Sequence, residues 1–237
     1  MKVKSISQSI SAALLCLMLL TSLLPARALA ADEGSSGQSE PEGTALLADT
    51  AGDVSYIDEY GNPQTCPSAT EVTGSDTSWG ASDSDEHWYV VNSDVPIGSL
   101  VTVNGDVHLI LADGCNLTVT GGITVNGGNS LTIYGQDEDT GALTANGGSQ
   151  QAGIGGGFSG AGGNITINGG TVEATGGNSA AGIGGGNEGG AGGNITINGG
   201  TVKAIGGNWA AGIGGGAGTS TGGAGGTITI NSGTVTA

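Results

Sequence analysis

The stretch GGNITINGGTVEATGGNSAAGIGGG, residues 162–186, returns as residues 192–216 with three changes, Glu173 to Lys203, Thr175 to Ile205 and Ser179 to Trp209. Glycine at this density describes either a flexible tether or a tightly cornered wall, and the spacing of the other residues decides between them. In ITI and TVEA the apolar positions lie two apart, Ile165 with Ile167 and Val172 with Ala174, the period that puts side chains on one side of a strand. Ile165 to Ile183 and Ile195 to Ile213 are both 18 residues, whereas Ile154 to Ile165, Ile183 to Ile195 and Ile213 to Ile228 are 11, 12 and 15. Insertions are confined to one corner while two corners are held. Stacked strands require this, because a slip of one residue would turn the apolar set outward. Collagen is excluded, since the 51 glycines show no G-X-Y period.

With those inside this stretch included, fifteen short apolar segments, from VTV at 101 to TVTA at 234, fall into five sets of three. Each set predicts one coil of an all-β, right-handed parallel β-helix with three strands per coil. Right-handedness follows from the uneven coil lengths, because left-handed helices keep a strict hexapeptide rhythm that is lacking here. With strands about 4.8 Å apart, five coils would stack to roughly 24 Å. The NGG and GGN corners call for positive φ, which Asn and Gly tolerate. Asn168, Asn198 and Asn231 recur at one such corner and should stack as an amide ladder. In AGIGGG, Gly153 and Gly155 flank an inward Ile154 and leave the outer face of that strand bare. Either neighbouring loops pack closely there, or the face is a smooth seat for a flat polymer.

The N-terminal residues set the context. Lys2 and Lys4 precede an apolar run from Ile10 to Leu24 and then Ala28-Leu29-Ala30, the pattern of a secretory signal peptide over 1–30 with cleavage after Ala30. Residues 31–52 read as a disordered acidic leader, 53–90 as an N-terminal cap with an aromatic cluster, and 91–237 as the β-helix. Within the cap, VSYIDEYGNPQTC predicts a short hairpin. Ile110 corresponds by register to the outward Thr132, so the aromatic segment from Tyr56 to Trp88 should cover it. After cleavage, 21 acidic side chains face Lys203 alone, with no arginine. That balance opposes nucleic-acid binding and attachment to anionic membranes, and no membrane insertion is expected once the signal is removed. Cys66 and Cys115 survive processing, and their separation leaves open whether they pair. The final segment ends in a strand with no cap. The expectation is therefore a chain truncated at its C-terminus, able to self-associate through an open C-terminal edge.

Candidate binding residues are few. Trp209, in place of Ser179 at a corner, and Phe158, in the variable loop, are rings that can stack on sugar, although such rings also cover neighbouring loops. Asp137, Glu138 and Asp139, in YGQDEDTG, are the candidate calcium ligands; solvation of a loop is the competing reading. The sequons at Asn116, Asn164 and Asn194 recur at the repeat period and read as corner asparagines rather than glycan acceptors. Asp94, Asp106 and Asp113 read as turn aspartates, and His87 and His108 lack repeated partners. No catalytic constellation emerges, so no catalytic residue and no cofactor are expected.

WGASDSDEHWYVVNSD, VTVNGDVHLILADGC, AGIGGG and GGNITINGGTV together resemble, over residues 54–237, the glycine-rich repeat secreted surface proteins of gut Firmicutes. More loosely, they resemble bacterial carbohydrate-binding β-helix domains related to pectate lyases. The second resemblance implies polysaccharide binding with calcium at the coils, but AGIGGG and NGG lack the acidic ligands those turns would carry. The expectation is a non-enzymatic, extracellular or cell-wall-associated β-helix used for display or adhesion, with polysaccharide or host and neighbour surface glycans as partners. A carbohydrate-binding module is the alternative, and a glycoside-active β-helix enzyme ranks third.

Overall fold

The computed structural model describes residues 49–237. The expected signal peptide lies outside the described residues, as does the expected leader up to residue 48. The last residues assigned to the leader are already strand. β1 (Thr50–Ile57) and β2 (Pro63–Glu71) form an antiparallel hairpin that pairs Val54 with Cys66 and Ile57 with Pro63. Asp58 closes its turn, accepting from the backbone N–H of Asn62 at 2.8 Å and of Tyr60 at 3.0 Å and from Gln64 Nε2 at 2.9 Å. The Asn62 bond above all holds the Asp58 carboxyl below its ordinary range.

Six coils follow. They comprise β3 (Ser78–Gly80), β4 (Glu86–Val91) and β5 (Val95–Ile97); β6 (Val101–Asn104), β7 (Asp106–Leu111) and β8 (Asn116–Val119); and β9 (Ile123–Thr124), β10 (Ser130–Tyr134) and β11 (Ala142–Asn146). The repeats then give β12 (Ile154–Gly155), β13 (Asn164–Ile167) and β14 (Thr171–Thr175); β15 (Ile183–Gly184), β16 (Asn194–Ile197) and β17 (Thr201–Ile205); and β18 (Ile213–Gly214), β19 (Thr227–Ile230) and β20 (Thr234–Thr236). Every strand pairs in parallel with its counterpart one coil away. Two six-stranded sheets and one eight-stranded sheet result, the hairpin joining the eight-stranded sheet at its β4 edge. This is a parallel β-helix. Its first coil, β3 to β5, begins inside the segment expected as a cap, so the stack has six coils where the repeat pattern predicts five. SWG and EHWYVV carry large rings instead of the ITI and AGI spelling, but the register continues, with Trp79 opposite Val103 and Val91 opposite Leu111.

Alternation along each strand builds the core. Val107, Leu109 and Leu111, then Leu131 and Ile133, then Ile165 and Ile167, then Ile195 and Ile197 point inward and are fully buried. The expected aromatic cluster divides between two places. Trp79 plugs the interior, fully buried, its Nε1 donating to Asp76 Oδ2 at 2.9 Å, with Tyr89 beside it at 5.8 Å between ring centroids. Tyr56 and Trp88 instead lie on the outer face of the eight-stranded sheet, in a second apolar cluster with Cys66, Ala69, Val90, Ile110 and Tyr134. Ile110 is covered as expected, but it pairs with Tyr134, not Thr132, which pairs with His108. The shift is two residues, so the face is unchanged.

Asparagine ladders cross the coils. Asn198 donates to Asn168 at 2.8 Å and Asn231 to Asn198 at 2.7 Å; Asn194 donates to Asn164 at 2.9 Å and Asn208 to Asn178 at 3.1 Å. Cys66, in β2 of the hairpin, is buried in the outer cluster and Cys115 packs against the inner core, so the two thiols belong to different clusters and both are free.

Asp94 and Asp113 tie coil to coil. Asp94 accepts from the Asn116 backbone at 2.9 Å, and Asp113 from the backbone of Thr140 and of Glu138, each at 3.0 Å. Burial would raise the Asp113 carboxyl, but the bonds from Thr140 and Glu138 outweigh it and hold the group below its ordinary value. A carboxyl depressed in the folded state stabilises fully above the unfolded pKa, about 3.9, and loses that contribution as the pH falls through the folded value. Asp113→Asn should therefore lower the urea midpoint at pH 7 and lower it much less at pH 3. An equal drop at both would show that the carboxylate charge is irrelevant.

Candidate functional site

Coils three to five share a corner between the β11, β14 and β17 strands and the short strands that follow, spelled GGSQQ, GGNSA and GGNWA. Its third residues, Ser149, Asn178 and Asn208, precede Gln150, Ser179 and Trp209, and those last three all adopt positive φ, at 66°, 60° and 59°. The corner backbone is thus the same in each coil and does not call for a ring. A bulky side chain in the left-handed region is rare, and the conformation costs about 1–3 kcal/mol. The Trp209 indole recovers little of this by burial, because the residue is 90% exposed.

Beside it runs a hollow of about 420 Å³, walled on one side by Gln150, Asn178, Ser179 and Trp209, and on the other by Asn187, Glu188, Ala217, Gly218 and Thr219 from the variable loops. The two walls are laced by backbone bonds, Asn187 N–H to Gln150 at 3.1 Å and Ala217 N–H to Ser179 at 2.8 Å. Thr219 Oγ1 donates to Glu188 Oε2 at 3.3 Å. An exposed apolar ring beside amide, hydroxyl and carboxylate groups can hold a ligand with one flat apolar face and a hydroxyl-rich edge. Sequence reading found Trp209 but not Gln150, Asn178, Asn187 or Glu188. Their alignment depends on the unequal loops closing to one height, and the only sequence signal was the return of the corner after 29 and then 30 residues.

The coils match a family model. Its description is Beta helix repeat, and it fits residues 141–158, 165–187 and 195–217. The matched segments are the coils that carry the corner and its loops, and they agree with the sheet pairing in making this chain a β-helix protein. Comparison with curated proteins and with solved structures found no match.

The other expected site residues lie elsewhere. Phe158 is 58% exposed in the loop after β12 and does not line the hollow. Asp137 and Asp139 border a separate hollow of about 280 Å³ under the hairpin turn, with Asp58 and Glu59. Asp139 accepts from the Gly170 N–H, and the Glu138 N–H donates to Asp113. Neighbouring residues of the loop thus serve different coils as struts, Glu138 through its backbone N–H toward Asp113 and Asp139 through its carboxylate toward Gly170. Of the two readings of the glycine face, close packing is the one the backbone supports. Gly153 and Gly155 are buried, and a Cβ on Gly155 would lie 2.1 Å from the Gly184 carbonyl oxygen, so close packing of neighbouring backbone, not a seat for a polymer, explains AGIGGG.

Proposed function

We propose that this protein is a non-catalytic β-helix acting outside the cell in display or adhesion, and that it holds uncharged saccharide units in the Trp209 hollow. The observation that carries the reading is the indole itself, 90% exposed in a conformation its backbone position does not favour, beside Gln150, Asn178 and Glu188. Folding alone gives no return on that arrangement, whereas stacking on a sugar face would. The acidic excess of the chain favours a neutral ligand over an anionic one. Rigidity suits the role, since a ladder of parallel strands holds the corner residues with little ordering left to pay on binding.

A glycan array of neutral polysaccharides, followed by titration with the best binder, tests this. Trp209→Ala should weaken binding at least about tenfold, equivalent to ~1.4 kcal/mol, while Phe158→Ala leaves it nearly unchanged. Equal affinity of wild type and Trp209→Ala would end the saccharide reading, and release of reducing ends from the bound polymer would restore the enzymatic one.

A further inference from the structure

On the outer face of the eight-stranded sheet, beneath the hairpin, adjacent strands bring together groups that are 20 or more residues apart in sequence. Glu86 pairs with Asp106 and Asp106 with Ser130, while Trp88 pairs with His108. His108 thus stands two residues along β7 from Asp106, on the same face. Its side chain is 12% exposed, its Nδ1 lies 2.9 Å from Tyr134 Oη, and Trp88 stacks on it with centroids 4.3 Å apart and planes at 16°. The remaining nitrogen, Nε2, is buried and has no hydrogen-bond partner, although Asp106 Oδ1 lies 3.7 Å away. Among the described residues it is the buried side-chain polar atom left in that state. One ligand atom each from Glu86, Asp106 and His108 lie within 4.8 Å of one another.

We infer that Glu86, Asp106 and His108 form a binding site for a divalent transition-metal ion of the Zn²⁺ class, ligated by His108 Nε2 and one oxygen from each carboxylate. Three features support the assignment. A buried ring nitrogen with no hydrogen-bond partner, facing two carboxylates, is costly, and a cation between them would satisfy it. Two donors on one tetrahedral Zn²⁺ at about 2.1 Å sit roughly 3.4 Å apart, so the observed cluster needs only a small contraction. The supporting contacts are those that metal-bound histidines use: with the ion on Nε2, Nδ1–H would donate to the Tyr134 oxygen 2.9 Å away, while Ser130 Oγ donates to Asp106 and Trp88 Nε1 donates to Glu86 at 3.3 Å. Burial pushes the His108 imidazole below its ordinary value, opposed by Asp106 and Glu86, and burial raises the Tyr134 phenol, which keeps its proton. A mixed imidazole and carboxylate set selects Zn²⁺ over Ca²⁺, which takes oxygen alone. Glu86 is exposed and Asp106 half-exposed, so the ion is reached from solvent and keeps water at its open position.

The test is calorimetric titration of the untagged, EDTA-stripped full chain with ZnCl₂, repeated with CaCl₂, together with Trp fluorescence during CuCl₂ addition. One saturable Zn²⁺ equivalent is expected, weakened at least tenfold in Glu86→Gln and lost in Asp106→Asn, with Ca²⁺ far weaker. Cu²⁺ should quench a fraction of the emission that is no longer quenched in Glu86→Gln. Glu86 is exposed, so its amide variant keeps the fold and separates lost ligation from unfolding, which far-ultraviolet circular dichroism confirms. Several weak equivalents unaffected by either substitution, or Ca²⁺ binding as tight as Zn²⁺, would overturn the site.

Discussion

Trp79→Ala should be among the most destabilising single truncations of this protein, removing about 3–5 kcal/mol from a domain whose whole stability is of the order of 5–15 kcal/mol. Trp79 fills the interior of the first coil, fully buried and opposite Val103, with Val72, Val91 and Val107 in the same cluster. Coils touch only their neighbours, so a void at the first coil cannot be relieved by rearrangement elsewhere in the stack. Trp79→Phe keeps most of the volume but removes the indole donor to Asp76 Oδ2, although Thr73 still donates to both oxygens, its N–H to Oδ2 at 3.3 Å and its Oγ1 to Oδ1. It should cost about 1–2 kcal/mol. Urea unfolding followed by circular dichroism measures both. If Trp79→Ala shifts the midpoint no more than Trp79→Phe, the ring is a lid and not a plug.

The sequence shows the middle of this molecule more clearly than its beginning. Ile165, Ile195 and Ile228 are legible as one inward column because the chain repeats both their spelling and their spacing, and they do pair in that order. The ladder from Asn168 to Asn231 was legible for the same reason. Where spelling changes, only register carries the pattern. Trp79 and Tyr89 therefore read as cap residues, although both belong to the first coil. The convergence of Glu86, Asp106 and His108 was less legible still, because it depends on β4, β7 and β10 being aligned to the residue. Two residues of error, the amount by which Ile110 was misplaced, would set His108 against a different pair of neighbours. The Trp209 hollow lies between these cases: a ring at a repeated corner is visible in one dimension, but the opposite wall comes from loops of unequal length.

Gly184→Ala tests why so much glycine stands in a wall, and it should cost roughly 2–6 kcal/mol, combining backbone strain with overpacking. Gly184 is buried in β15 at φ +134°, and an added Cβ would lie 2.0 Å from the Gly214 carbonyl oxygen in the next coil. The offending atom is backbone, so no side chain can swing aside. The coil cannot move away either, because β13, β16 and β19 on one side and β14, β17 and β20 on another hold the coils at strand spacing. Gly155 repeats the geometry one coil earlier, where its Cβ would meet the Gly184 oxygen, so the constraint belongs to the column and not to one residue. Gly127 is the control. It is exposed, has no atom within 4 Å of an added Cβ and lacks the positive φ, so Gly127→Ala should change stability by less than about 0.5 kcal/mol. Thermal and urea unfolding of the two variants should separate them widely. If Gly184→Ala were as stable as Gly127→Ala, the β12, β15 and β18 strands would have to be looser than their pairing implies, and AGIGGG would again be a candidate for an open face.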